Sequence, residues 1–323
     1  AVVASGNIPG AALPSVVQAR LLKSPCIVRA SSAEPVLLPL YARSLAEVSP
    51  LLGSSLAVTT WPGGDREREA ALLAEVEALL AYGSDETLRS LRELLPVRAR
   101  FVGYGHRISF SVIAREWLSS DRAAVAARLA ARDLCLFDQQ GCLSPQAIYL
   151  EHGGEVTPDG FAGLLAAELT RAEEEWPRRE LDAAEAAAIH QYRASVEMRS
   201  LASPDASLWT SPGGTGWTVA LVGGGALAPC CLNRTAVLQP LGDIAELPTL
   251  VGVQRPALMS VAIGAPRQRY QRLAGLLAQT GVTRIAPLGH AQLPEDPLYH
   301  DGVNGMAALV RFVTIEAGED AGG

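Results

Sequence analysis

The chain has 323 residues, 49% of them hydrophobic, and a formal net charge of −7 at pH 7. This length and apolar content suffice for two domains with separate cores. The acidic balance, without a stripe of basic residues, argues against nucleic acid as a partner, and no apolar run reaches the roughly 18 residues of a membrane span. The five cysteines lack the spacing of metal ligands. We therefore expect a reducing, cytoplasmic environment and no bound metal.

The first hundred residues alternate β-branched runs with helical patterns. We predict strands at AVVAS, CIVRA, LAVTT and ARFVGYG, and helices at GAALPSVVQARLL, PVLLPLYARSLAEV, DREREAALLAEVEALL and DETLRSLREL. The last two helices are predicted to begin at the N-cap residues Asp65 and Asp85. This alternation predicts an open parallel sheet with helices on both faces, and such sheets bind ligands beyond the carboxyl ends of their strands.

Several glycines lie where that rule places a ligand. Gly6 and Gly10 follow the first predicted strand, Gly63 and Gly64 follow the third, and Gly83 follows ALLAY. In such turns the backbone can approach a phosphate, and a helix N-terminus favours an anion. The GxGxxG fingerprint of ordinary dinucleotide-binding proteins is absent. Each glycine taken alone is better explained by turn chemistry.

The pattern changes after residue 105, where we place a domain boundary. Alanine-rich helices are predicted at DRAAVAARLAARDL and LDAAEAAAIHQYRASVEMR. Strands are predicted at WTVALV, RTAVLQPL, ALMSVAIG and VTRIAPL, with a helix at PRQRYQRLAGLLAQ before the last of them. A final strand at AALVRFVTIEA and a loose tail at AGEDAGG complete the prediction.

Cys142 has surroundings unlike those of the other cysteines. It lies between Gly141 and Pro145, which predicts a turn rather than a core strand. The alternative is a small buried hydrophobe, as most free cysteines are. Two further cysteines lie in apolar segments and are predicted to be packing residues, Cys26 and Cys135. A reactive role stays open for the adjacent pair Cys230 and Cys231.

Six motifs in chain order carry a family resemblance: SGNIPG, LLKSPCIVRASSAEP, WPGGD, AYGSDET, VGYGHRIS and FDQQGCLSPQ. Together they resemble the LuxC-type acyl-CoA reductases, fatty acid reductases of the aldehyde dehydrogenase superfamily. The resemblance implies an α/β, aldehyde dehydrogenase-like fold with two parallel-sheet domains and a cleft between them, N-terminally truncated here. The family chain is longer at its N-terminus, which agrees with a sequence that starts in a strand-like run without methionine.

The resemblance also implies a function for each part of the chain. Residues 1–104 would be the remaining part of a nucleotide cofactor-binding domain, and residues 105–302 the domain of the catalytic cysteine. Residues 303–323 would form a C-terminal strand that returns towards the first domain or an oligomer interface.

For the chemistry, the resemblance implies that Cys142 is the nucleophile. A thiolate suits attack on a thioester because sulfur is strongly nucleophilic and the acyl product stays activated. The side-chain amide of Asn7 and the backbone N–H of Cys142 would hold the oxyanion, and one such donor contributes about 3 kcal/mol. The local pattern alone equally supports Asn7 as a turn residue before Ile-Pro-Gly.

The cofactor residues implied by the resemblance are Arg29, Ser31, Ser32, Gly63, Gly83 and Ser84. Arg29 takes the place of the superfamily's lysine, and Ser32, counted back from Pro35, takes the place of its glutamate. A carboxylate there would repel a 2′-phosphate, whereas a serine accepts it and an arginine pairs with it. We therefore expect NADPH, with NADH as the alternative. Glu34 nearby weakens this argument, and Arg29 could instead be a solvated residue at a strand end.

A missing residue favours reduction over oxidation. Hydrolytic aldehyde dehydrogenases carry a glutamate base in ELGG, and this chain has Gly103 at the matching position in GYGHR. Without that base, water should attack the acyl-enzyme slowly. His106 could serve as an acid for the leaving group but is more readily structural. The sequence gives no role to His290 or His300.

We therefore expect NADPH-dependent reduction of a long-chain acyl-CoA or acyl-carrier thioester to an aldehyde through a thioacyl group on Cys142. The final strand resembles the superfamily's exchanged strand, which implies a homo-oligomer, and an acyl-transferring enzyme could deliver the substrate. Three alternatives remain: an NAD(P)-dependent aldehyde dehydrogenase, a catalytically silent scaffolding homologue and a cysteine hydrolase. Gly103 argues against the first, intact Cys142 and Asn7 against the second, and the βαβ pattern against the third.

Overall fold

The computed structural model describes residues 1–295 and 299–316. The chain divides into two compact units. Unit 1 contains Ala1–Gly105 together with the chain from Val303 onward, and unit 2 contains His106–Gly302. The predicted tail AGEDAGG lies outside the described residues. Among those that are described, no helix combines the length and the apolar character needed to cross a bilayer.

Unit 1 is built on a five-stranded sheet in the order β3-β2-β1-β4-β5. The strands are β1 (Val2–Val3), β2 (Cys26–Ala30), β3 (Leu56–Thr60), β4 (Ala78–Tyr82) and β5 (Arg100–Tyr104). Every pairing is parallel, and Val2 in the central strand pairs with Val28 on one side and Leu80 on the other. All five strands therefore end at the same edge of the sheet.

Helices cover both faces of this sheet, as predicted. They are α1 (Leu13–Leu21), α2 (Leu37–Val48), α3 (Pro50–Gly53), α4 (Arg66–Ala74) and α5 (Asp85–Leu94). Successive side chains of a strand point to opposite faces. Val2 accordingly packs in one core with Val16 of α1, and Val3 packs in the other with Leu73 of α4 and Leu91 of α5.

Two predictions for unit 1 are wrong. The helix expected over DREREAALLAEVEALL ends at Ala74, and its last residues belong to β4. Leu79 is fully buried in β4 and pairs with Phe101, and this pairing overrides a periodicity that a short apolar run cannot settle. Helix α5 is capped by Ser84 rather than Asp85, because Ser84 Oγ accepts a hydrogen bond from the Thr87 N–H at 3.2 Å. The predicted cap at Asp65 of α4 is confirmed.

Unit 2 contains a seven-stranded sheet in the order β12-β11-β6-β7-β10-β9-β8. Its strands are β6 (Ile108–Ile113), β7 (Pro145–Glu151), β8 (Ala206–Thr210), β9 (Thr218–Val222), β10 (Thr235–Leu241), β11 (Leu258–Gly264) and β12 (Arg284–Pro287). Five of the six pairings are parallel, and β8 runs antiparallel to β9. Strands β9 to β12 were predicted from the sequence, whereas β6, β7 and β8 were not.

The helices of unit 2 also lie on both sheet faces. They are α6 (Ala123–Cys135), α7 (Pro158–Glu175), α8 (Ala183–Ala202), α9 (Leu247–Gly252) and α10 (Arg267–Leu277). Small residues of α6 such as Ala126 and Ala130 pack with Phe161 of α7 in one core. Leu247 of α9 and Leu273 of α10 pack in the core on the other face.

The final strand predicted at AALVRFVTIEA is not formed. The structure has a short helix, α11 (Gly305–Leu309), followed by residues 310–316 without regular structure. The carbonyl oxygens of Ala308 and Val310 accept hydrogen bonds from the Arg100 guanidinium rather than from a neighbouring strand. The side-chain donor thus satisfies backbone groups that a sheet would otherwise pair.

Candidate active site

Cys142 lies in the turn that leads into β7. The N–H of Ser144 donates to the carbonyl of Gly141 at 3.0 Å and closes the turn, and Pro145 begins the strand. This turn is the local structure predicted from Gly141 and Pro145. The cysteine is half-buried rather than packed in a core. Its location is therefore one from which a thiol can meet a substrate.

Buried serines attach this turn to the central strands. Ser109 Oγ on β6 donates to the carbonyl oxygen of Cys142 at 2.6 Å, and the N–H of Ser260 on β11 donates to Ser109 Oγ at 3.1 Å. The side-chain amide of Gln292 donates to Ser144 Oγ. Because these partners are buried, the position of the Cys142 backbone is fixed by the sheet.

The residues before the turn adopt a strained backbone. Phe137, Asp138 and Gln139 have φ of 55°, 49° and 64°, a left-handed region that is costly for residues other than glycine. The side chain of Gln139 accepts from the N–H of Thr235 at 2.8 Å and donates to its carbonyl at 2.9 Å. Asp138 forms an ion pair of 2.7 Å with buried Arg234. These contacts hold a conformation that an isolated loop would not keep.

His300 is a neighbour of Cys142 that was not predicted from the sequence. Nε2 of His300 lies 3.8 Å from the Cys142 Sγ. Asp301 follows, with its Oδ1 3.8 Å from Nδ1 of His300 and its Oδ2 accepting from Nη2 of Arg107 at 2.6 Å. Unit 2 thus brings a thiol, an imidazole, a carboxylate and a guanidinium together. No spacing rule could reveal the pair, because 158 residues separate the cysteine from the histidine.

The surroundings of Cys142 and His300 determine the protonation states of these two side chains. Burial, with a smaller contribution from Asp301, raises the pKa of Cys142 to about 11, while Arg107 and the backbone N–H groups of Cys142 and Leu143 oppose the rise. Burial lowers the pKa of His300 below its usual value, and the carboxylate of Asp301 partly opposes this effect. At neutral pH the resting pair is therefore a thiol beside a neutral imidazole.

The other cysteines have structural surroundings. Cys26 and Cys135 lie in the cores, as predicted. Burial raises the pKa of Cys230 to about 12, and its sulfur accepts from the N–H of Leu232 at 3.3 Å. Cys231 Sγ lies 3.2 Å from Oγ1 of Thr235, the residue that holds Gln139. Both sulfurs thus have partners in the segment that leads into β10, and Cys142 differs from both in its contact with an imidazole.

The residues predicted to contact the cofactor or the oxyanion lie at the carboxyl edge of the sheet in unit 1. Each follows a strand: Asn7 after β1, Ser31 and Ser32 after β2, Gly63 after β3, Gly83 and Ser84 after β4. The first two turns pack closely, since a Cβ added at Gly6 would lie 2.5 Å from Ser31 Oγ. Asn7 belongs to unit 1 and Cys142 to unit 2, and the oxyanion role of Asn7 stays a prediction.

Arg29 reaches the loop after β3. Its Nη2 donates to the carbonyl of Trp61 at 3.0 Å, and a Cβ at Gly63 would lie 3.2 Å from the same nitrogen. Nε of Arg29 and Nε1 of Trp61 are buried without a hydrogen-bond partner among the described residues. Unsatisfied buried donors are costly, and a phosphate oxygen is an acceptor that would satisfy them. This edge therefore fits a phosphate-bearing nucleotide.

The neighbouring carboxylate is engaged in helix capping. Glu34 Oε1 accepts hydrogen bonds from the N–H groups of Val36 and Leu37 at the start of α2, at 3.2 and 2.8 Å. Ser31 Oγ accepts from the N–H of Ala33 at 3.2 Å, and Ser32 is exposed. Glu34 thus has a structural function in addition to its charge.

Gly103 lies in a position too crowded for a larger side chain. A Cβ there would be 2.7 Å from Cε1 of Phe101 and 3.3 Å from Cδ1 of Leu88. His106 is exposed, and its carbonyl accepts from Arg107 at 3.1 Å. Its catalytic role stays a prediction. Over residues 1–295 and 299–316, no group of three or more His, Cys, Asp or Glu side chains could hold a metal ion.

Solved structures of aldehyde dehydrogenases have the same fold. Aldehyde dehydrogenase 21 from Physcomitrella patens matches with a TM-score of 0.74 and 13% identity, over 95% of this chain and 66% of that one. An indole-3-acetaldehyde dehydrogenase complexed with NAD⁺ matches with a TM-score of 0.69 and 12% identity, over 88% of this chain and 59% of that one. The aldehyde dehydrogenase-like fold expected from the resemblance is confirmed.

Comparison with related sequences identifies the family, and not only the fold. The long-chain acyl-protein thioester reductase 2 of Photobacterium leiognathi is 26% identical over 315 residues, which are 97% of this chain and 63% of the relative. The chain thus spans less than two thirds of that relative's length. A family model described as acyl-CoA reductase (LuxC) matches residues 1–314. Because this match extends over nearly the whole chain, the chain belongs to the acyl-CoA reductase (LuxC) family.

Proposed function

We propose that the chain carries the catalytic part of a reductase that converts a long-chain acyl thioester to an aldehyde. The observation that carries the proposal is the thiol of Cys142, fixed in a turn with an imidazole nitrogen 3.8 Å from its sulfur. Membership of the LuxC family and the name of the Photobacterium relative support the reaction class. The nucleophile and its partner belong to the same unit.

In the first half of the reaction, the sulfur of Cys142 bonds to the thioester carbonyl carbon. The carbonyl oxygen takes up negative charge, and the side-chain amide of Asn7 and the N–H of Cys142 would stabilise it. The bond between the carbonyl carbon and the departing sulfur then breaks. The departing thiol takes the proton that Cys142 lost, and the acyl group stays on Cys142.

In the second half, the acyl group leaves Cys142 as an aldehyde. A reduced nicotinamide dinucleotide, when bound, supplies the hydride for the acyl carbon. Arg29, Ser31, Ser32, Gly63, Gly83 and Ser84 would hold the nucleotide at the carboxyl edge of unit 1. With Ser32 exposed and Arg29 beside the loop after β3, we propose NADPH as the preferred cofactor and NADH as a weaker one.

Gly103 favours reduction over hydrolysis of the acyl-enzyme. It stands where the hydrolytic enzymes have their base, and its contact with Phe101 leaves no room for a larger side chain without a shift. Water would therefore lack a base at this position. The thioacyl group should persist until hydride or a second thiol arrives.

The acyl donor is proposed to be CoA or the thiol of an acyl-carrying protein, and an acyl-transferring enzyme would be the partner in the second case. We also propose a homo-oligomer, because Phe312, Val313 and Ile315 are 83 to 90% exposed in the segment expected to reach an oligomer interface. The five free cysteines support a cytoplasmic location.

The test uses radiolabelled long-chain acyl-CoA, first without cofactor and then with NADPH. The wild type should acquire a covalent label that NADPH releases as aldehyde. Cys142→Ala should acquire no label, while the matched control Cys231→Ala should be labelled like the wild type. Normal labelling of Cys142→Ala would show that the nucleophile is a different residue.

A further inference from the structure

The thiol of Cys142 must lose a proton before its sulfur can act, because the thiolate is the nucleophile. Burial holds the pKa of this thiol near 11, so few molecules carry a thiolate at neutral pH. The backbone N–H groups of Cys142 and Leu143 favour the charged form but do not outweigh burial. The reaction therefore requires a proton acceptor beside the sulfur at the moment of attack.

His300 is in place to accept that proton. Its Nε2 lies 3.8 Å from the Cys142 Sγ, within the range of a hydrogen bond to sulfur, and such contacts shorten when substrate binds. Both residues belong to unit 2. The turn of Cys142 is held by Ser109 and by Gln292.

We propose that His300 is the acid–base catalyst for Cys142 and that Asp301 and Arg107 are its positioning residues. The inference rests on the proposed function, since it names the proton carrier for the same nucleophile. No motif of the sequence predicts this role for His300.

In the acylation half, Nε2 of His300 takes the proton as the Cys142 sulfur bonds to the carbonyl carbon. The imidazolium then gives this proton to the departing thiolate as the original carbon–sulfur bond breaks. The balance is one thioester and one cysteine thiol converted to thioacyl-cysteine and a free thiol. His300 ends this half-reaction neutral.

In the reduction half, the thioacyl carbon gains a hydride and its bond to Cys142 breaks, releasing the aldehyde. The sulfur leaves with the electron pair and needs one proton to return to the thiol. His300, protonated from water, supplies it. The balance is one thioacyl group, one hydride and one proton converted to aldehyde and cysteine thiol.

Asp301 and Arg107 are arranged to support the imidazolium. The Asp301 carboxylate lies 3.8 Å from Nδ1 of His300, whereas the Cys142 sulfur lies near the other ring nitrogen, Nε2. Arg107 Nη2 donates to that carboxylate at 2.6 Å, and the side chains of Arg107 and Asp301 are only 21% and 11% exposed. Asp301 has φ of 55°, and such strain is typical of functional sites.

Burial keeps the imidazole of His300 neutral, although charged groups of both signs lie near it. Asp301 supplies negative charge from the histidine's own segment, and Arg107 supplies positive charge from the segment before β6. The positive charge of Arg284 on β12 also interacts with Cys142. Burial outweighs the effect of Asp301 and lowers the pKa of His300, so the imidazole is neutral and able to accept a proton near pH 7.

The experiment measures the rate at which acyl-CoA labels the protein, without cofactor, across pH 5 to 8. Wild-type labelling should slow at acidic pH as His300 becomes protonated. His300→Asn should label about 100-fold more slowly and lose this acidic limb, because asparagine cannot accept the proton. His290→Asn, at an exposed histidine, is the matched control and should label like the wild type.

Two further measurements keep the test decisive if His300→Asn does not fold. Added imidazole should speed labelling of His300→Ala and have no effect on Cys142→Ala. A wild-type profile without an acidic limb would overturn the role of His300 without any variant. Wild-type protein that never acquires label overturns the proposed function itself, whereas fast labelling of folded His300→Asn overturns only the present inference.

Discussion

The hydroxyl of Ser109 donates a hydrogen bond of 2.6 Å to the carbonyl oxygen of Cys142. Ser109 is 1% exposed and lies on β6, in the interior of the seven-stranded sheet. The same hydroxyl accepts from the N–H and the hydroxyl of Ser260, at 3.1 and 3.0 Å. The position of the candidate nucleophile is therefore set by a series of buried hydrogen bonds that begins at Ser260 on β11.

Ser109→Ala should destabilise unit 2 and slow acylation together. The substitution leaves the Cys142 carbonyl and the donors of Ser260 without their partner, which costs about 1–3 kcal/mol. Urea unfolding followed by circular dichroism measures the free energy of unfolding. Ser200→Ala, at an exposed serine that bonds within its own helix, is the control. A folded Ser109→Ala protein with unchanged stability and acylation would disprove the anchoring role.

Asp301→Asn should move the acidic limb of the acylation profile to lower pH. The carboxylate raises the pKa of His300 against the larger effect of burial, so neutralising it lets that pKa fall further. The acylation rate at neutral pH should also fall, because the imidazolium loses its counter-charge. Acylation rates measured at closely spaced pH values give the shift of the acidic limb. A limb that moves to higher pH, or does not move, would contradict the contact between the two side chains.

Ser32→Glu should change which cofactor binds. A carboxylate at this position would repel a 2′-phosphate, and affinity for NADPH should fall by about tenfold or more while affinity for NADH is kept. Binding is followed by the fluorescence of the reduced nicotinamide. Ser44→Glu, at an exposed serine of α2, controls for added negative charge. An equal fall in the affinities for NADPH and NADH, or no fall in either, would show that the 2′-phosphate does not bind beside Ser32.

Asp133 should give unit 2 a pH-dependent stability. Its buried carboxylate accepts from the N–H groups of Gly289 and Ala291 at 2.7 and 2.9 Å, yet burial outweighs these bonds and raises its pKa from 3.8 to about 6. The folded state therefore binds a proton more readily than the unfolded state. The stability contributed by this group is present below pH 4 and is lost as pH rises to about 6.

Asp133→Asn should consequently lower the free energy of unfolding more at pH 4.5 than at pH 7, by roughly 1–3 kcal/mol. Urea unfolding of both proteins at the two pH values measures this difference. Glu174→Gln, at an exposed carboxylate of α7, is the control. A cost that grows with pH would mean that the carboxylate is stabilised rather than destabilised by its surroundings.

Local patterns predicted much of the fold. β-branched runs marked β2 and β3, and Asp65 marked the start of α4. The helix predicted over DREREAALLAEVEALL wrongly includes residues 78–80, because their apolar spacing fits both structures and only pairing with β1 and β5 makes them part of a strand. The strand predicted at the C-terminus is not formed, because the Arg100 side chain, rather than a neighbouring strand, binds the carbonyl groups of that segment.

The candidate site was predicted only in part. Gly141 and Pro145 marked the turn of Cys142, and the glycine turns marked the carboxyl edge of the first sheet. His300 could not be found in this way, because folding brings it to Cys142 across 158 residues. The strained backbone at Phe137 and Asp138 was equally hidden, because it is held by contacts of Asp138 and Gln139 with residues distant in the sequence, Arg234 and Thr235.

The proposed reaction depends on transfer of an acyl chain to the sulfur of Cys142. The most direct measurement quenches the protein with acid after mixing with a long-chain acyl-CoA and maps the modified peptide by mass spectrometry. The added acyl mass should lie on the peptide containing Cys142 and should disappear when NADPH is present before the quench. An acyl group on a different cysteine, or an unmodified Cys142 in protein that still forms aldehyde, would show that Cys142 is not the acyl acceptor.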